Sequence, residues 1–290
     1  MPNTQDIVPG SLIQAAVFGG SGVGKTHFAL TFPRPNVIDL DKGILTSRSQ
    51  HFVSRYGNKP ILYEQFKERS LNSRGIVLTH NAFDDACRYF DEWMKPVKRD
   101  LFDTWVVDSG TSLCEFAMNK AAILLGSNAF GRSPLSQTQS QALATGLLFP
   151  KIQDYGAERS MTEQFIRMVR DAGKHFVFIL HEKETRDKEG QLLEIKPALT
   201  GQSADVVPAM FDNVWSMRVI GAGSSMRRVL ATEPDGLRKA KSRLGMGELS
   251  NPDYDLVAQK MLDLIKTQGG ITPSGGSSAP SVPAIQGASV

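Results

Sequence analysis

The stretch AAVFGGSGVGKTHFAL, residues 15–30, joins an apolar run to a glycine-rich turn that ends in a lysine and a threonine. Eight consecutive residues match the pattern G-x-x-x-x-G-K-[ST] at every specified position: Gly19, Gly20, Ser21, Gly22, Val23, Gly24, Lys25 and Thr26. Glycines permit backbone angles at which consecutive N–H groups converge on phosphate oxygens, and a following helix presents its positive end to the same anion. Lys25 would reach the β- and γ-phosphates, and the Thr26 hydroxyl would ligate Mg²⁺. We therefore predict a nucleotide-binding loop.

Composition is typical of a globular protein. Of 290 residues, 41% are hydrophobic and 22% are charged, and the net charge of +3 is too small to indicate a polyanionic partner by itself. Cys87 and Cys114 lie in apolar helical patterns, so we predict buried free thiols in a reducing compartment. The N-terminus lacks the pattern of a signal peptide, and no apolar run is long enough to span a bilayer. We expect a cytoplasmic protein with no membrane partner.

Apolar strands alternate with helical patterns along most of the chain. The pattern predicts strands at residues 12–18, 36–41, 103–110 and 175–180, with helices between them at residues 26–31, 82–94 and 111–125. An S-x-x-E capping box at Ser160 to Glu163 predicts the start of a further helix that runs to residue 173. A hairpin around residues 188–190, two more strands and a helix at residues 255–266 follow. This alternation predicts an α/β fold, a mainly parallel sheet with helices on both faces.

The domain organisation follows from shifts in composition. We predict an N-terminal lead at residues 1–10 and one domain at residues 11–266, within which residues 44–80 form an irregular basic insertion. Residues 128–150 are polar and lack a periodic pattern, which is typical of a loop. From residue 267 to residue 290 the chain consists mostly of Gly, Ser, Pro and Ala and carries no charge, so we predict a disordered tail.

Carboxylates after the second and third strands are candidates for the metal and the attacking water. Asp108 ends the run TWVVD and would hold Mg²⁺ together with Thr26; the alternative is an aspartate that caps the next helix, and one residue could do both. In VIDLDKG, both Asp39 and Asp41 could orient the water; we favour Asp41 because it is nearer the carboxyl edge of the sheet. Turn formation around DKG is the alternative. His181 follows the fourth strand and would sense the γ-phosphate, unless it merely ends that strand in solvent.

Several further segments occur in a fixed order after the loop: VIDLDKG, TWVVDSG, FVFILHEKE, PALTGQSADVVPAMFDNVWSM and LRKAKSRLG. With GGSGVGKT they resemble the phage RecA-like P-loop ATPases, AAA-domain nucleotide-binding proteins of the single-strand-annealing recombinase group. The resemblance spans most of residues 12–246. It implies a RecA-like core that binds ATP and Mg²⁺, hydrolyses ATP, and acts on single-stranded DNA in recombination or strand annealing inside a bacterial host cell. Phage or host replication and recombination proteins would be its partners.

The resemblance also implies roles for particular residues. It places the polarisation of the water on Asp41, and it suggests that the basic run 237–243 enters the ATP site of a neighbouring subunit through Lys239, Lys241 and Arg243. The protein would then be a homo-oligomer with a shared site. The alternative is a solvated basic hairpin. In RecA-like proteins the loops corresponding to residues 127–148 and 185–200 contact single-stranded DNA.

Residues 44–80 offer an independent hint of a nucleic-acid partner. Aromatic side chains alternate there with six basic ones, a composition typical of surfaces that bind single strands: Phe52, Tyr56, Tyr63 and Phe66 with Arg48, Arg55, Lys59, Lys67, Arg69 and Arg74. The alternative is that the aromatic rings pack inward.

Other functions on the same core remain open. A replication helicase or helicase-loading ATPase would use the same loop and carboxylates. A nucleotide-dependent binding module that hardly hydrolyses ATP is also compatible with Asp41, whose reach is short. A small-molecule kinase needs an arginine-bearing lid over the phosphates, and no arginine-rich stretch follows the third strand closely.

Overall fold

The computed structural model describes residues 12–72, 75–78, 80–124, 150–243 and 245–268. The strands are β1 (Gln14–Gly19), β2 (Pro35–Asp39), β3 (Leu62–Gln65), β4 (Arg69–Asn72), β5 (Gly75–Leu78), β6 (Thr104–Asp108), β7 (His175–Arg186), β8 (Leu192–Pro197), β9 (Asn213–Ile220), β10 (Arg227–Ala231) and β11 (Glu248–Ser250). The helices are α1 (Lys25–Ala29), α2 (Gln50–Tyr56), α3 (Ala82–Trp93), α4 (Gly110–Leu124), α5 (Ile152–Arg170), α6 (Ser203–Ala209) and α7 (Tyr254–Gln268).

Nine of the described strands form one sheet in the order β11-β10-β9-β1-β7-β6-β2-β3, and β8 pairs with the outer part of β7. The six strands from β9 to β3 in this order run parallel, while β10, β11 and β8 are antiparallel to their neighbours. Gly19 lies beside His181, and Asp39 lies beside Asp108. The carboxyl ends of β1, β2 and β6 therefore meet at one edge of the sheet, where His181 of β7 lies beside them.

Helices cover both faces of the sheet. Ala16 and Phe18 of β1 face a core that α3, α4, α5 and α6 complete. Ala15 and Val17 point to the other face, where α1, α2 and α7 pack. This alternation is the period of two that a buried strand imposes. The predicted α/β class, with a mainly parallel sheet between helical layers, is confirmed.

Three predicted boundaries are wrong. β2 ends at Asp39, so Asp41 lies in the turn after the strand and not on it. β7 continues to Arg186 because its outer half pairs with β8, so His181 lies inside a strand. α5 begins at Ile152, eight residues before the predicted start at Ser160, and the carboxylate of Asp154 accepts a hydrogen bond from the Lys151 N–H (2.6 Å) at its first turn.

Residues 44–80 are not the irregular segment that we predicted. They contain most of a 3₁₀ helix (Gly43–Arg48), α2, β3 and the β4–β5 hairpin, and β3 extends the main sheet by pairing with β2. The aromatic rings pack mostly inward: Phe52 is buried beside Tyr56, and Phe66 packs on Tyr89. Tyr63 alone of the four predicted stacking rings is largely exposed.

Two of the basic side chains in this segment bind protein groups. Arg55 pairs with Asp253 (2.8 Å). The Lys59 ammonium donates to the carbonyl oxygens of Leu30 (3.1 Å), Thr31 (2.8 Å) and Phe32, directly after α1. Burial lowers the pKa of Lys59 to about 8, which leaves the amine mostly protonated at pH 7. These contacts favour the inward-packed alternative over a surface for single strands.

The structure also describes both cysteines and most of the predicted helices. Cys114 is buried and Cys87 is half-buried; both are free thiols, as predicted, and burial raises the pKa of each. None of the helices within the described ranges combines the length and the apolar character that a bilayer crossing requires. The predicted lead at residues 1–10, the loop at residues 127–148, Arg74 and the tail beyond residue 268 lie outside the described residues.

Replacement of Lys59 by methionine should destabilise the fold, because three buried carbonyl groups after α1 lose their donor. We expect the free energy of unfolding to fall by about 1–3 kcal/mol, measured by urea denaturation. Lys67→Met is the matched control, since Lys67 is exposed, and its effect should stay within about 0.5 kcal/mol. Equal stability of the two variants would contradict this role of Lys59.

Candidate nucleotide-binding site

The glycine-rich loop connects the carboxyl end of β1 to α1. Gly24, the residue before α1, has a φ of 104°, a conformation that residues with a side chain rarely adopt. Ser21 and Gly22 line the cavity above the loop, and Val23 packs against the core on the α1 side of the sheet. The loop therefore has the strand–turn–helix context that the motif requires.

Lys25 lies along the loop. Its ammonium group donates to the carbonyl oxygens of Gly19 (2.8 Å) and Gly20 (2.7 Å), and the residue is 7% exposed. Burial lowers the pKa of Lys25, and the carboxylates of Asp108, Glu182 and Asp41 oppose that shift. The lysine thus places a positive charge at the mouth of the loop, where bound phosphate would compete with the two carbonyl groups.

Thr26 and Asp108, the two predicted metal ligands, are in direct contact. The Thr26 hydroxyl donates to Oδ2 of Asp108 over 2.6 Å, although the two residues are 82 positions apart in the chain. Asp108 is 4% exposed, and burial raises its pKa to about 6, helped by the nearby charges of Asp39 and Asp41. A hydroxyl and one carboxylate are oxygen donors of the kind that Mg²⁺ uses when substrate phosphates complete its shell. These donors fit the predicted ion.

Gly43 allows this pair to form. A Cβ atom at Gly43 would lie 2.1 Å from Oδ2 of Asp108 and 3.0 Å from Oγ1 of Thr26. The turn DKG therefore brings its own backbone against the two oxygen donors, and only a residue without a side chain fits there. Sequence reasoning found this glycine only as part of a turn, because the contact depends on residues far away in the chain.

The two acidic residues of VIDLDKG have different surroundings. Asp39 is buried and accepts hydrogen bonds from the Gly43 N–H (2.8 Å) and the Gln65 amide (2.7 Å), so it holds the turn together. Asp41 lines the cavity and accepts from Ser112 and from Nε2 of His181 (2.9 Å). Burial acts to raise the pKa of Asp41, but these hydrogen bonds outweigh it and hold the pKa at about 2. Asp41 is an ionised carboxylate facing the cavity.

His181 connects this carboxylate to two other segments. Its backbone N–H donates to Oγ1 of Thr111 at the start of α4 (3.1 Å), and its carbonyl accepts from the Ala198 N–H after β8 (2.8 Å). The ring therefore lies at the cavity while its backbone is fixed to the first turn of one helix and to the end of the β7–β8 hairpin.

A single cavity of about 630 Å³ contains these groups. Lys25, Thr26, Asp41, Asp108 and His181 surround one part of it. The same cavity is also lined by side chains that sequence reasoning missed: Thr46, Ser49, His51 and Arg228. Arg228 lies on an antiparallel strand outside every motif, so no local signal in the sequence marks it.

Lys241 and Arg243 do not reach this cavity. Lys241 forms backbone hydrogen bonds with Val214 near the beginning of β9, whereas the glycine-rich loop begins beside Met217, in the middle of that strand, which pairs with Gly19. Arg243 is paired with Asp212 (2.6 Å), and Lys239 is paired with Glu194. Within one chain, Lys239, Lys241 and Arg243 therefore do not line the cavity, and Lys241 is bonded three residues along β9 from the residue that pairs with Gly19.

The chain is similar to a known protein family and to solved structures. The family model described as "AAA domain" matches residues 12–244. A search of curated proteins finds no match. Among solved structures, a KaiC-like protein from the hyperthermophilic archaeon Pyrococcus horikoshii OT3 is similar at 11% identity and a TM-score of 0.40, over 87% of this chain and 96% of that one.

Gly43→Ala should disrupt the contact between Thr26 and Asp108, because the added methyl group overlaps the carboxylate. We expect Mg²⁺-dependent nucleotide binding to weaken about 10- to 100-fold, measured by titration of a fluorescent ATP analogue with Mg²⁺ and with EDTA. Gly156→Ala is the control: its methyl group meets no atom within 4 Å, and alanine favours a helix. Unchanged affinity in a folded Gly43→Ala variant would show that the pair is dispensable.

Proposed function

The chain belongs to the AAA domain family of P-loop ATPases, and we propose that it binds ATP with Mg²⁺ in the cavity above the glycine-rich loop and hydrolyses it to act on single-stranded DNA, in phage recombination or strand annealing. The observation that carries the nucleotide part is the Thr26–Asp108 contact directly beside the loop, with an ionised Asp41 lining the same cavity. The resemblance of the motif series to phage RecA-like ATPases carries the DNA part.

Each side chain has a definite task in this proposal. Lys25 would exchange its two carbonyl partners for phosphate oxygens. Thr26 and Asp108 would hold the metal ion, whose positive charge would offset that of the phosphates. Asp41 orients the attacking water. Hydrogen bonds from Ser112 and His181 fix the direction of the Asp41 carboxylate, which is what a residue that positions water requires.

The connection to DNA would run through His181. Its backbone is bonded to Thr111 and Ala198, and Ala198 follows the β7–β8 hairpin, which lies in one of the two segments predicted to contact single strands. A change at Asp41 on hydrolysis would move His181 and, with it, the base of this hairpin. This is the physical path by which the nucleotide state would alter DNA affinity.

A shared ATP site in a homo-oligomer is also part of the proposal. Neither Lys241 nor Arg243 lines the cavity of its own chain, so in this proposal they would serve the cavity of a neighbour. The Arg243 side chain is 76% exposed, which leaves its guanidinium accessible despite the pair with Asp212.

One observation favours a second candidate, a nucleotide-dependent binding module that turns over slowly. A general base works best when its pKa lies near the working pH. The pKa of Asp41 is about 2, so this carboxylate is a poor proton acceptor and would contribute mainly by orienting water.

The first test measures steady-state ATP hydrolysis with and without single-stranded DNA. We expect DNA to raise the rate of hydrolysis by the wild type. Lys25→Ala should lower the rate about 10²- to 10³-fold, because it removes the positive charge that would contact the phosphates. Lys260→Ala, an exposed position on α7, should behave as wild type. No effect of DNA would remove the DNA part of the proposal, and phosphate transfer to a small acceptor would indicate a kinase.

The shared site can be tested by mixing two inactive variants. Lys25→Ala lacks a working loop and Arg243→Ala lacks the residue offered to a neighbour, so a mixed oligomer should contain some intact sites. We expect hydrolysis in the mixture to exceed that of either variant alone. If mixing restores nothing while Arg243→Ala alone is inactive, then Arg243 serves its own subunit's function in another way.

A further inference from the structure

Arg228 lies against the end of the glycine-rich loop. A Cβ atom at Gly24 would be only 2.5 Å from its Nε and 2.7 Å from its Cδ, so the arginine side chain and the loop backbone are fitted to each other. Nη1 of Arg228 is 3.2 Å from Nε2 of His51, and both residues line the cavity. A guanidinium group thus borders the space in which the phosphate chain of the proposed nucleotide would lie.

The backbone of Arg228 is fixed on both sides. β10 pairs with β9, where Arg228 lies beside Val219. On the other side the Arg228 N–H donates to Oδ1 of Asn251 (3.1 Å), and the Asn251 N–H donates to the Arg228 carbonyl (2.7 Å). The side chain therefore starts from a rigid position, which reduces the entropy lost when it binds a ligand.

The charge of this arginine is not balanced within the protein. No carboxylate among the described residues lies within 4.0 Å of Arg228, whereas Arg34, Arg55 and Arg218 each pair with an aspartate: Asp103, Asp253 and Asp235. The guanidinium contacts the ring of His51, which is exposed on α2. A cation that faces a phosphate-binding loop without a protein counter-ion has the chemistry of a phosphate ligand.

We propose that Arg228 binds the phosphate chain of the nucleotide from within the same subunit. This inference rests on the proposed nucleotide function and adds a second cation to Lys25. Asp108 and Asp41 line the same cavity; Asp108 would bind the metal and Asp41 would orient the water. Arg228 approaches the loop from the β10 side at Gly24. The arginine is separate from Lys241 and Arg243, since it needs no neighbouring subunit.

The test compares three ligands and four proteins by isothermal titration calorimetry: MgATP, MgADP and inorganic tripolyphosphate with Mg²⁺, against wild type, Arg228→Gln, Arg228→Lys and Arg227→Gln. Arg227 is the matched control because it is the adjacent, exposed arginine of the same strand and points to the other face. We expect Arg228→Gln to weaken all three ligands by roughly tenfold or more. Arg228→Lys should fall in between, since lysine keeps the charge but loses the planar fork. Arg227→Gln should match the wild type.

Each of the other outcomes is decisive. Unchanged affinities in Arg228→Gln would overturn the inference, and so would a loss confined to ATP and ADP with tripolyphosphate unaffected, because that pattern assigns Arg228 to the nucleoside. Melting temperatures without ligand show whether the variants fold. If Arg228→Gln does not fold, the decision rests on folded Arg228→Lys. Weaker binding of all three ligands by Arg228→Lys would then support the inference, and wild-type affinity would overturn it. A fifth protein, Lys25→Ala, distinguishes failure of this inference from failure of the proposed nucleotide site. If Lys25→Ala binds the three ligands as the wild type does, the nucleotide site itself is refuted.

Discussion

The hydrogen bond between Thr26 and Asp108 depends on where two non-adjacent strands end. β1 and β6 are separated by β7, and only the parallel register of all three brings the first residues after β1 and the last residue of β6 to the same edge of the sheet. The core on both faces of the sheet consists of side chains that fix this register, because a slip by one residue would turn Phe18 and Val107 to the wrong layers. The candidate site is therefore a consequence of sheet packing.

The three carboxylates at this edge of the sheet make different contacts. Asp39 and Asp108 lie side by side at the ends of β2 and β6, both buried, but their surroundings differ. Asp39 is occupied by the Gly43 N–H and by Gln65, whereas Asp108 is bonded to the Thr26 hydroxyl, a group that can itself bind a metal. Asp41 lies two residues beyond the strand and lines the cavity. One short segment thus supplies a structural carboxylate, Asp39, and a carboxylate that lines the cavity, Asp41.

The parts of the site that the sequence predicts are those with a local pattern. The glycine-rich loop, Lys25 and Thr26 form one motif, and Asp108 is found because an apolar strand ends there. The sequence pattern predicts Asp41 on a strand, but the strand ends at Asp39, whose side chain closes the turn. Arg228 and Gly43 could not be predicted, because their contacts depend on the pairing of β10 with β9 and on a turn that folds back over Thr26. Residues 44–80 were misread because composition does not tell whether Phe52 and Lys59 face solvent or the core.

The central claim is that the cavity binds a nucleotide through a rearrangement of Lys25. The most direct measurement is a crystal structure of the full chain with Mg²⁺ and a non-hydrolysable ATP analogue. The account predicts that the Lys25 ammonium leaves the carbonyl oxygens of Gly19 and Gly20 and contacts phosphate oxygens, with the metal ion beside Thr26 and Asp108. An analogue bound elsewhere, with Lys25 still held by the two carbonyl groups, would contradict it.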